Sequence, residues 1–293
     1  MNWDDVRIFL AIARSGQLIG ASARLGLNHA TVSRRLAALE TALDTRLVDR
    51  LTTGCRLTAS GQRFLAEAEH MEAAALAASG LATEKSADLS GTVRIGAPDG
   101  FGVAFLAPRL HGLAALHPRL RTELVPVPRA FSLSRREADL AVTVERPREG
   151  RLVAAKLVDY ALRLYASRLY AEQNGLPETA QDIARHRLVG YVPDLVMAPA
   201  LDYAAEFGIR RPPDLAVSSA LGQAAAVAAG AGIGILHAFV AAGDSRLLPV
   251  PGFADIRRTY WLVHHESGRG QRPLQAAAAF VHGLVDRERA IFI

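Results

Sequence analysis

Apolar residues recur at helical spacing through the first part of the chain and then change rhythm. Val6, Phe9, Leu10 and Ala13 stand at the offsets of one helical face, with Asn2 placed to cap the helix and Asp5 at its third position. That helix should end near Ser15-Gly16. Leu18, Ala21 and Leu25 turn one face of a second helix inward, and Gly26 stands just past its end, where a left-handed residue closes a helix. After the short turn Gly26-Leu27, Asn28 can cap a third helix. Its Val32, Leu36 and Leu39 face a core, leaving His29, Thr31, Ser33, Arg34 and Arg35 outside. Two short strands, Arg46 to Asp49 and Cys55 to Thr58, flank Thr52-Thr53-Gly54 as a hairpin wing.

From Thr58 to about Thr83 the chain reads as one Ala-rich helix. Phe64, Ala68, Met71, Ala75, Ala78 and Ala82 alternate steps of four and three, a heptad seam. Small seam residues let two helices approach closely, so Phe64, Ala68, Met71 and Ala75 are the candidate dimerisation contacts; the alternative is a helix packed on its own domain. Lys85 to Gly91 then resembles a hinge. Beyond it the rhythm changes: Thr92 to Ile95 reads as a strand, Val103 to Leu116 as a helix, and Arg121 to Val127 and Ala138 to Val144 as further strands. A similar alternation runs from Tyr160 to Ala166 through Val217 to Leu236. The remainder is therefore α/β, and open α/β sheets bind ligands beyond the C-terminal ends of their strands.

Composition narrows the class. A chain of 293 residues exceeds the usual size of one core, and with half its residues apolar and 22% charged it is globular. No run of eighteen apolar residues occurs and the N-terminus lacks a basic segment followed by an apolar one, which reads as neither exported nor membrane-spanning. The single cysteine, Cys55, excludes an intramolecular disulfide and suits a reducing compartment; a cytoplasmic protein is expected.

The formal charge is +5, and residues 1 to 65 hold nine Arg against five acids, a net of +4. A local positive field of that kind suits a phosphate-binding surface. Joined to two short helices across a Gly-containing turn, it gives the layout of a helix-turn-helix whose third helix reads DNA. The free N–H groups at that helix's start attract phosphate, short Thr and Ser side chains reach base edges, and Arg adds bidentate contacts. The candidate DNA contacts are Asn28, His29, Thr31, Ser33, Arg34 and Arg35, with Arg50, Thr53 and Arg56 of the wing.

Other signals are weaker. Gly230, Gly232 and Gly234 follow a helix instead of opening one, and the third glycine of a dinucleotide fingerprint would fall at Ile235. His264-His265 and the remaining histidines lack paired ligand spacing, so no metal is expected. No Gly-x-Ser-x-Gly elbow marks a nucleophile, and catalysis has no support. Cys55 reads as a plain strand residue.

The residues also carry a family resemblance. Phe9-Leu10-Ala11-Ile12-Ala13, Ala21-Ser22-Ala23-Arg24-Leu25, Thr31-Val32-Ser33-Arg34-Arg35-Leu36, Leu39-Glu40 and Leu57-Thr58-Ala59-Ser60-Gly61 resemble, in order and spacing, the DNA-binding domain of LysR-type transcriptional regulators. Gly91-Thr92-Val93-Arg94-Ile95-Gly96, Glu137-Ala138-Asp139-Leu140-Ala141-Val142 and Ala228-Ala229-Gly230-Ala231-Gly232-Ile233-Gly234-Ile235 resemble its effector domain. Val48 departs from the usual Phe, and Gln17 from a common Ser.

The resemblance implies a winged helix-turn-helix over residues 1–60 and a linker and dimerisation helix with hinge over 61–90. It implies a two-lobed domain of the type 2 periplasmic-binding-protein kind over 91–293. Lobe I would comprise 91–160 and 265–293 and lobe II 161–264, the chain crossing near Asp159 to Ala161 and Val263 to His265. The implied effector contacts are Asp99, Gly100 and Phe101 in the loop after the first strand, with Arg129, Tyr191 and Gln223. Asp99 is ambiguous: it either caps the following helix or faces the cleft, where it opposes an anion unless Arg129 or Arg135 compensates. The implied partners are double-stranded promoter DNA, a small-molecule effector in place of any cofactor, one or three further copies of the chain, and RNA polymerase.

Overall fold

A computed structural model describes residues 1–51, 54–82, 89–126, 138–147, 151–195 and 203–293. Three helices open the chain, α1 (Trp3–Ser15), α2 (Leu18–Leu25) and α3 (His29–Ala42). Local chemistry sets their ends. The Asn2 side chain accepts from the Asp4 N–H at 2.9 Å and the Asn28 side chain from the Thr31 N–H at 2.7 Å. Gly16 and Gly26 close α1 and α2 at φ of 66° and 65°. Val6, Phe9 and Leu10 of α1 bury against Ala21, Val32, Leu36 and Leu39.

The wing consists of β1 (Val48–Leu51) and β2 (Gly54–Leu57), paired antiparallel from Val48↔Leu57 to Leu51↔Gly54. Its first strand starts two residues later than the sequence pattern suggests. The Glu40 carboxylate accepts from the Leu47 and Val48 N–H groups at 2.8 and 3.1 Å, which braces the chain as it leaves α3. Val48, the departure from Phe, is buried beside Leu47 in this core.

The long helix α4 (Ala59–Ala82) follows. Phe64 sets its ring edge-on to Phe9 at 5.2 Å, Ala68 is fully buried, and Met71 packs on the same core. Arg14 donates twice to Glu72, at 3.1 and 2.6 Å, in a largely buried pair. Ala68 therefore has no surface left for a partner helix, while Phe64 and Met71, which pack on their own domain, keep part of their surface exposed. Ala75 lies past that contact and is half-buried.

The remaining strands form one nine-stranded sheet. They are β3 (Gly91–Ala97), β4 (Leu120–Pro126), β5 (Leu140–Thr143), β6 (Leu152–Ser167), β7 (Leu188–Gly190), β8 (Leu215–Ala216), β9 (Ile233–His237), β10 (Leu247–Pro249) and β11 (Ile256–His265). The order is β4-β3-β5-β11-β6-β9-β7-β8, with β10 also on β6. β3 runs parallel to β4 and β5, and β7 parallel to β8 and β9, so each end of the sheet is an α/β unit. Between them β6 and β11 run antiparallel over their shared length and belong to both units.

On β6, residues from Leu162 onward pair with β9. On β11 the crossing comes earlier than Val263: Trp261–His264 already pair with β5, after a bulge between Tyr260 and Trp261. Those four residues therefore lie beside the first lobe, not the second. The expected helix Val103 to Leu116 is also broken, into a π-helical turn (Gly100–Leu106), a 3₁₀ turn (Ala107–Arg109) and α5 (His111–Leu116). Pro108, which has no amide hydrogen to donate, interrupts it.

At the crossing, aromatic rings close a circuit. Phe101 meets Tyr260 at 5.0 Å, Tyr260 stacks on Tyr160 at 4.0 Å, and Tyr160 on His237 at 5.2 Å. Phe239, Phe292 and Phe105 complete it back to Phe101 at spacings of 4.8 to 5.6 Å. Phe292, near the C-terminus, is fully buried here, after the helix Arg272–Arg287 has run alongside β3. Burial drives the His237 imidazole from 6.5 down to about 4, against the opposing pull of the Asp99 charge.

Two predictions follow from this packing. A Cβ on Gly61 would lie 2.0 Å from the Leu47 carbonyl oxygen. Gly61→Ala is expected to destabilise the N-terminal domain by about 1–3 kcal/mol in thermal melts; an unchanged melting temperature would contradict the packing. For His237, the unfolded chain takes its proton near pH 6.5 and the folded chain only near 4. Stability is therefore full above the unfolded value and falls as pH drops through that window, by roughly 3 kcal/mol near pH 4. His237→Gln should flatten the loss between about pH 7.5 and about pH 4.5 in denaturant titrations, and an identical slope in both proteins would sink this assignment.

Candidate DNA interface and interlobe cleft

The start of α3 is turned to solvent. Asn28, His29 and Arg34 are exposed there, Thr31 and Ser33 half-buried beside them. The wing reaches back to the same place: Arg50 donates from Nη2 to the Ser33 hydroxyl at 3.0 Å, although the two are seventeen residues apart. Arg34 enters no ion pair among the described residues. Asn28 has a second task, since its side chain holds the Thr31 N–H. Arg35 turns away toward α1, within 3.5 Å of Asp4 and 3.6 Å of Asp5. Its charge is thus engaged beside α1, where the sequence reading had grouped it with the outward arginines. Arg56 stands opposite Asp49 in the wing register, 3.8 Å away, and remains exposed. Thr53 lies outside the described residues.

The arrangement presents an N-terminal helix turn, a hydroxyl and two arginines on one surface. Backbone N–H groups and the helix dipole there favour phosphate, while Arg34 has the donor fork for guanine or phosphate. No local sequence signal pointed to Glu40, which fixes the wing relative to α3.

The second candidate site lies between the lobes. Asp99, which follows β3, makes no capping bond to the turn it begins. Its Oδ2 instead accepts from the Ser219 hydroxyl at 2.6 Å and the Leu221 N–H at 3.3 Å. Ser219 in turn caps the helix Ala220–Ala228 by accepting from the Gly222 N–H. Asp99 therefore occupies the first turn of a helix in the opposite lobe, joining residues 120 positions apart. Neither side of its sequence-level ambiguity described this: it caps a helix, but not its own. Gly100 brings its backbone close to the second lobe, and a Cβ there would contact Ala220 at 3.5 Å.

Phe101 is corrected outright. It is fully buried in the aromatic circuit and cannot touch a ligand without unpacking it. Gln223 is buried and donates from Nε2 to the Val217 carbonyl at 2.9 Å. It lines a cavity of about 550 Å³ together with Tyr191, Tyr203, Leu164, Leu188 and Ile235, and the residues that line this cavity all belong to the second lobe. That volume suits a small organic ligand, and the wall is largely apolar. Burial and the Asp99 charge push the Tyr191 hydroxyl up to about 12, and burial raises those of Tyr203 and Tyr260 further, so all three stay neutral. Arg129 lies outside the described residues, as does Arg135.

Among the described residues no three His, Cys, Asp or Glu side chains gather around a potential metal position. No described helix is long and apolar enough to cross a membrane.

Residues 3–62 match the bacterial regulatory helix-turn-helix family of lysR type, and residues 86–286 match the LysR substrate binding domain. An HTH-type transcriptional regulator from Xanthomonas campestris is 31% identical over 191 residues, 63% of this chain and 54% of that protein. The HTH-type transcriptional regulator CrgA from Neisseria meningitidis is 27% identical over 192 residues, 65% of this chain and 64% of that protein. These alignments thus span about half to two-thirds of the relatives' length. The solved structures reach further: CrgA superposes with a TM-score of 0.60 at 21% identity, covering 97% of this chain and 99% of that one. Full-length LysG from Corynebacterium glutamicum, with bound effector Arg, gives 0.67 at 19% identity over 98% and 99%. Both the fold and the order of its domains agree, and with the two family profiles matching in tandem this chain belongs to the LysR family.

Proposed function

We propose that this protein is a sequence-specific transcription regulator that binds double-stranded promoter DNA through α3 and the wing. A small molecule held between the lobes controls it. The observation that carries the reading is the exposed first turn of α3, with Arg34 beside it and Arg50 drawn onto Ser33 from the wing. Such a surface is of groove-reading type, with phosphate contacts setting position and Arg34 reaching a base edge. The division adopted is 1–60 for DNA binding, 61–90 for the linker and hinge, and 91–293 for effector binding.

A dimer or a dimer of dimers places two recognition helices about 34 Å or a multiple apart, matching successive major grooves. In this reading the pairing uses the face of α4 that carries Phe64, Met71 and Ala75, each of which keeps part of its surface exposed. The clasp of Asp99 on Ser219 offers a closed state that a ligand can favour or oppose, and a ligand binding one closure state better than the other shifts the spacing of the DNA-binding domains. The protein would work in the cytoplasm, with RNA polymerase as a further partner.

Arg34→Ala should cost about 1–3 kcal/mol of affinity for the specific site and much less on random DNA. An equal loss on both would demote Arg34 to a phosphate contact. A fragment of residues 89–293 should lose DNA binding while keeping ligand binding, and retention of DNA binding by that fragment would overturn the assignment.

A further inference from the structure

We propose that the second lobe holds a ligand site of its own, which takes a small organic carboxylate with its head at Arg210 and Arg211 and its apolar body in the cavity. The site is additional to the effector-binding cleft proposed above and does not depend on that cleft being occupied.

The cavity of about 550 Å³ is walled by residues of β6, β7 and β9 and by the segment from Tyr203 to Pro213. Leu164, Leu188, Ile209 and Ile235 make much of that wall apolar, and the size falls in the range that small organic molecules fill.

The charged side chains on the lining are both cations. Arg210 and Arg211 are among the lining residues, and no described Asp or Glu is. Asp194, next to the lining residue Pro193, is exposed and outside the lining. Arg211 is held in place: its Nη1 donates to Asp214 at 2.8 Å and its Nη2 to the His186 carbonyl, while Asp214 also accepts from the Leu188 N–H at 2.8 Å. Its guanidinium is thereby fixed to the start of β7. Pro212 and Pro213 stiffen the backbone that follows, and Pro213 packs against Gly190, where a Cβ would lie 3.2 Å from it. Asp214 offsets the charge of Arg211. Arg210 is exposed and enters no ion pair or hydrogen bond among the described residues, so one positive charge at the mouth of the cavity stays unmatched.

A second observation comes from the opposite, buried end. Gln223 lines the cavity at only 2% exposure, and its Nε2 donates to the Val217 carbonyl at 2.9 Å. That bond sets which way the amide faces and leaves Oε1 with no donor among the described residues. Buried acceptors are seldom left so, and this one calls for a hydroxyl or N–H on the body of the ligand. It also orients the molecule. A carboxylate at this end would set acceptor against acceptor, whereas at the mouth its two oxygens match the guanidinium fork. An ammonium head would meet two like charges there, and a neutral molecule would leave Arg210 unmatched.

The test uses the full-length protein at low salt and two skeletons, 3-phenylpropyl and n-hexyl, each as the carboxylate, the alcohol and the amine. The phenyl acid is also offered with a hydroxyl at each ring position. Binding is read by calorimetry. At least one carboxylate should bind about threefold or more tightly than its alcohol, with the amine weaker still, the size expected of a partly exposed ion pair. Arg210→Gln removes no packing, so it should abolish that preference and leave the alcohol unchanged. One hydroxylated acid should bind more tightly than its parent, and Gln223→Leu should cancel the gain while keeping the preference for the acid. Ile209→Trp, which fills the cavity, should abolish binding of acid and alcohol alike. An alcohol or amine binding as tightly as its acid, an acid affinity unchanged in Arg210→Gln or in Ile209→Trp, or no carboxylate binding up to about 10 mM would each overturn the inference. None of these results would bear on a ligand held between the lobes, because the variants leave Asp99 and Ser219 in place.

Discussion

The two antiparallel strands shared by both lobes are the constraint on which the effector domain depends. β6 and β11 carry the chain from one α/β unit to the other, and the Tyr160–Tyr260 stack lies at the crossing. Around it, rings from the loop after β3, from the segment after β9 and from the C-terminus close a single circuit. Each aromatic pair contributes about 0.5–1.5 kcal/mol beyond its area burial, so the crossing is rigid compared with the lobes' outer edges. In the proposed mechanism the lobes pivot there, by rotation about those strands. Asp99 is placed by the same circuit, two residues before Phe101.

A related logic organises the N-terminal domain. Asn2 and Asn28 start helices, Gly16 and Gly26 end them, and the resulting angles bring Val6, Phe9, Val32 and Leu36 together. Glu40 then fastens the wing and Arg14 fastens α4 through Glu72. The reading surface on α3 is thus held by a core that it does not itself enter, so exposed residues such as His29 and Arg34 are free of structural duty.

What was legible in the sequence follows from how local each cause is. Caps, glycine stops and the inward faces of α1 to α3 depend on residues within one or two turns, and the structure has them where the pattern puts them. The heptad seam of α4 left two alternatives open because a stripe suited to a partner helix is equally suited to α1, and periodicity does not say which surface is nearer. The late start of β1 depends on Glu40, several residues upstream, and the early crossing of β11 on a bulge that no spacing reveals. The Tyr160–Tyr260 stack was least legible: the two are a hundred residues apart in the sequence and meet only once β11 pairs with β6, in the register Arg258↔Tyr160 and Tyr260↔Val158. Phe101 was illegible for the opposite reason, since the family resemblance points to a loop without telling which of its side chains enter the core.

The central claim is that the surface of α3 and the wing reads DNA. It is tested most directly by fluorescence anisotropy of the full-length protein on DNA from upstream of its own gene, against scrambled DNA, over a salt series. The account predicts selective binding whose logarithm falls steeply and linearly with the logarithm of salt concentration, reporting phosphate contacts beneath a sequence-dependent component. Salt-insensitive binding, or no binding to any fragment of the genome from which the chain comes, would contradict it.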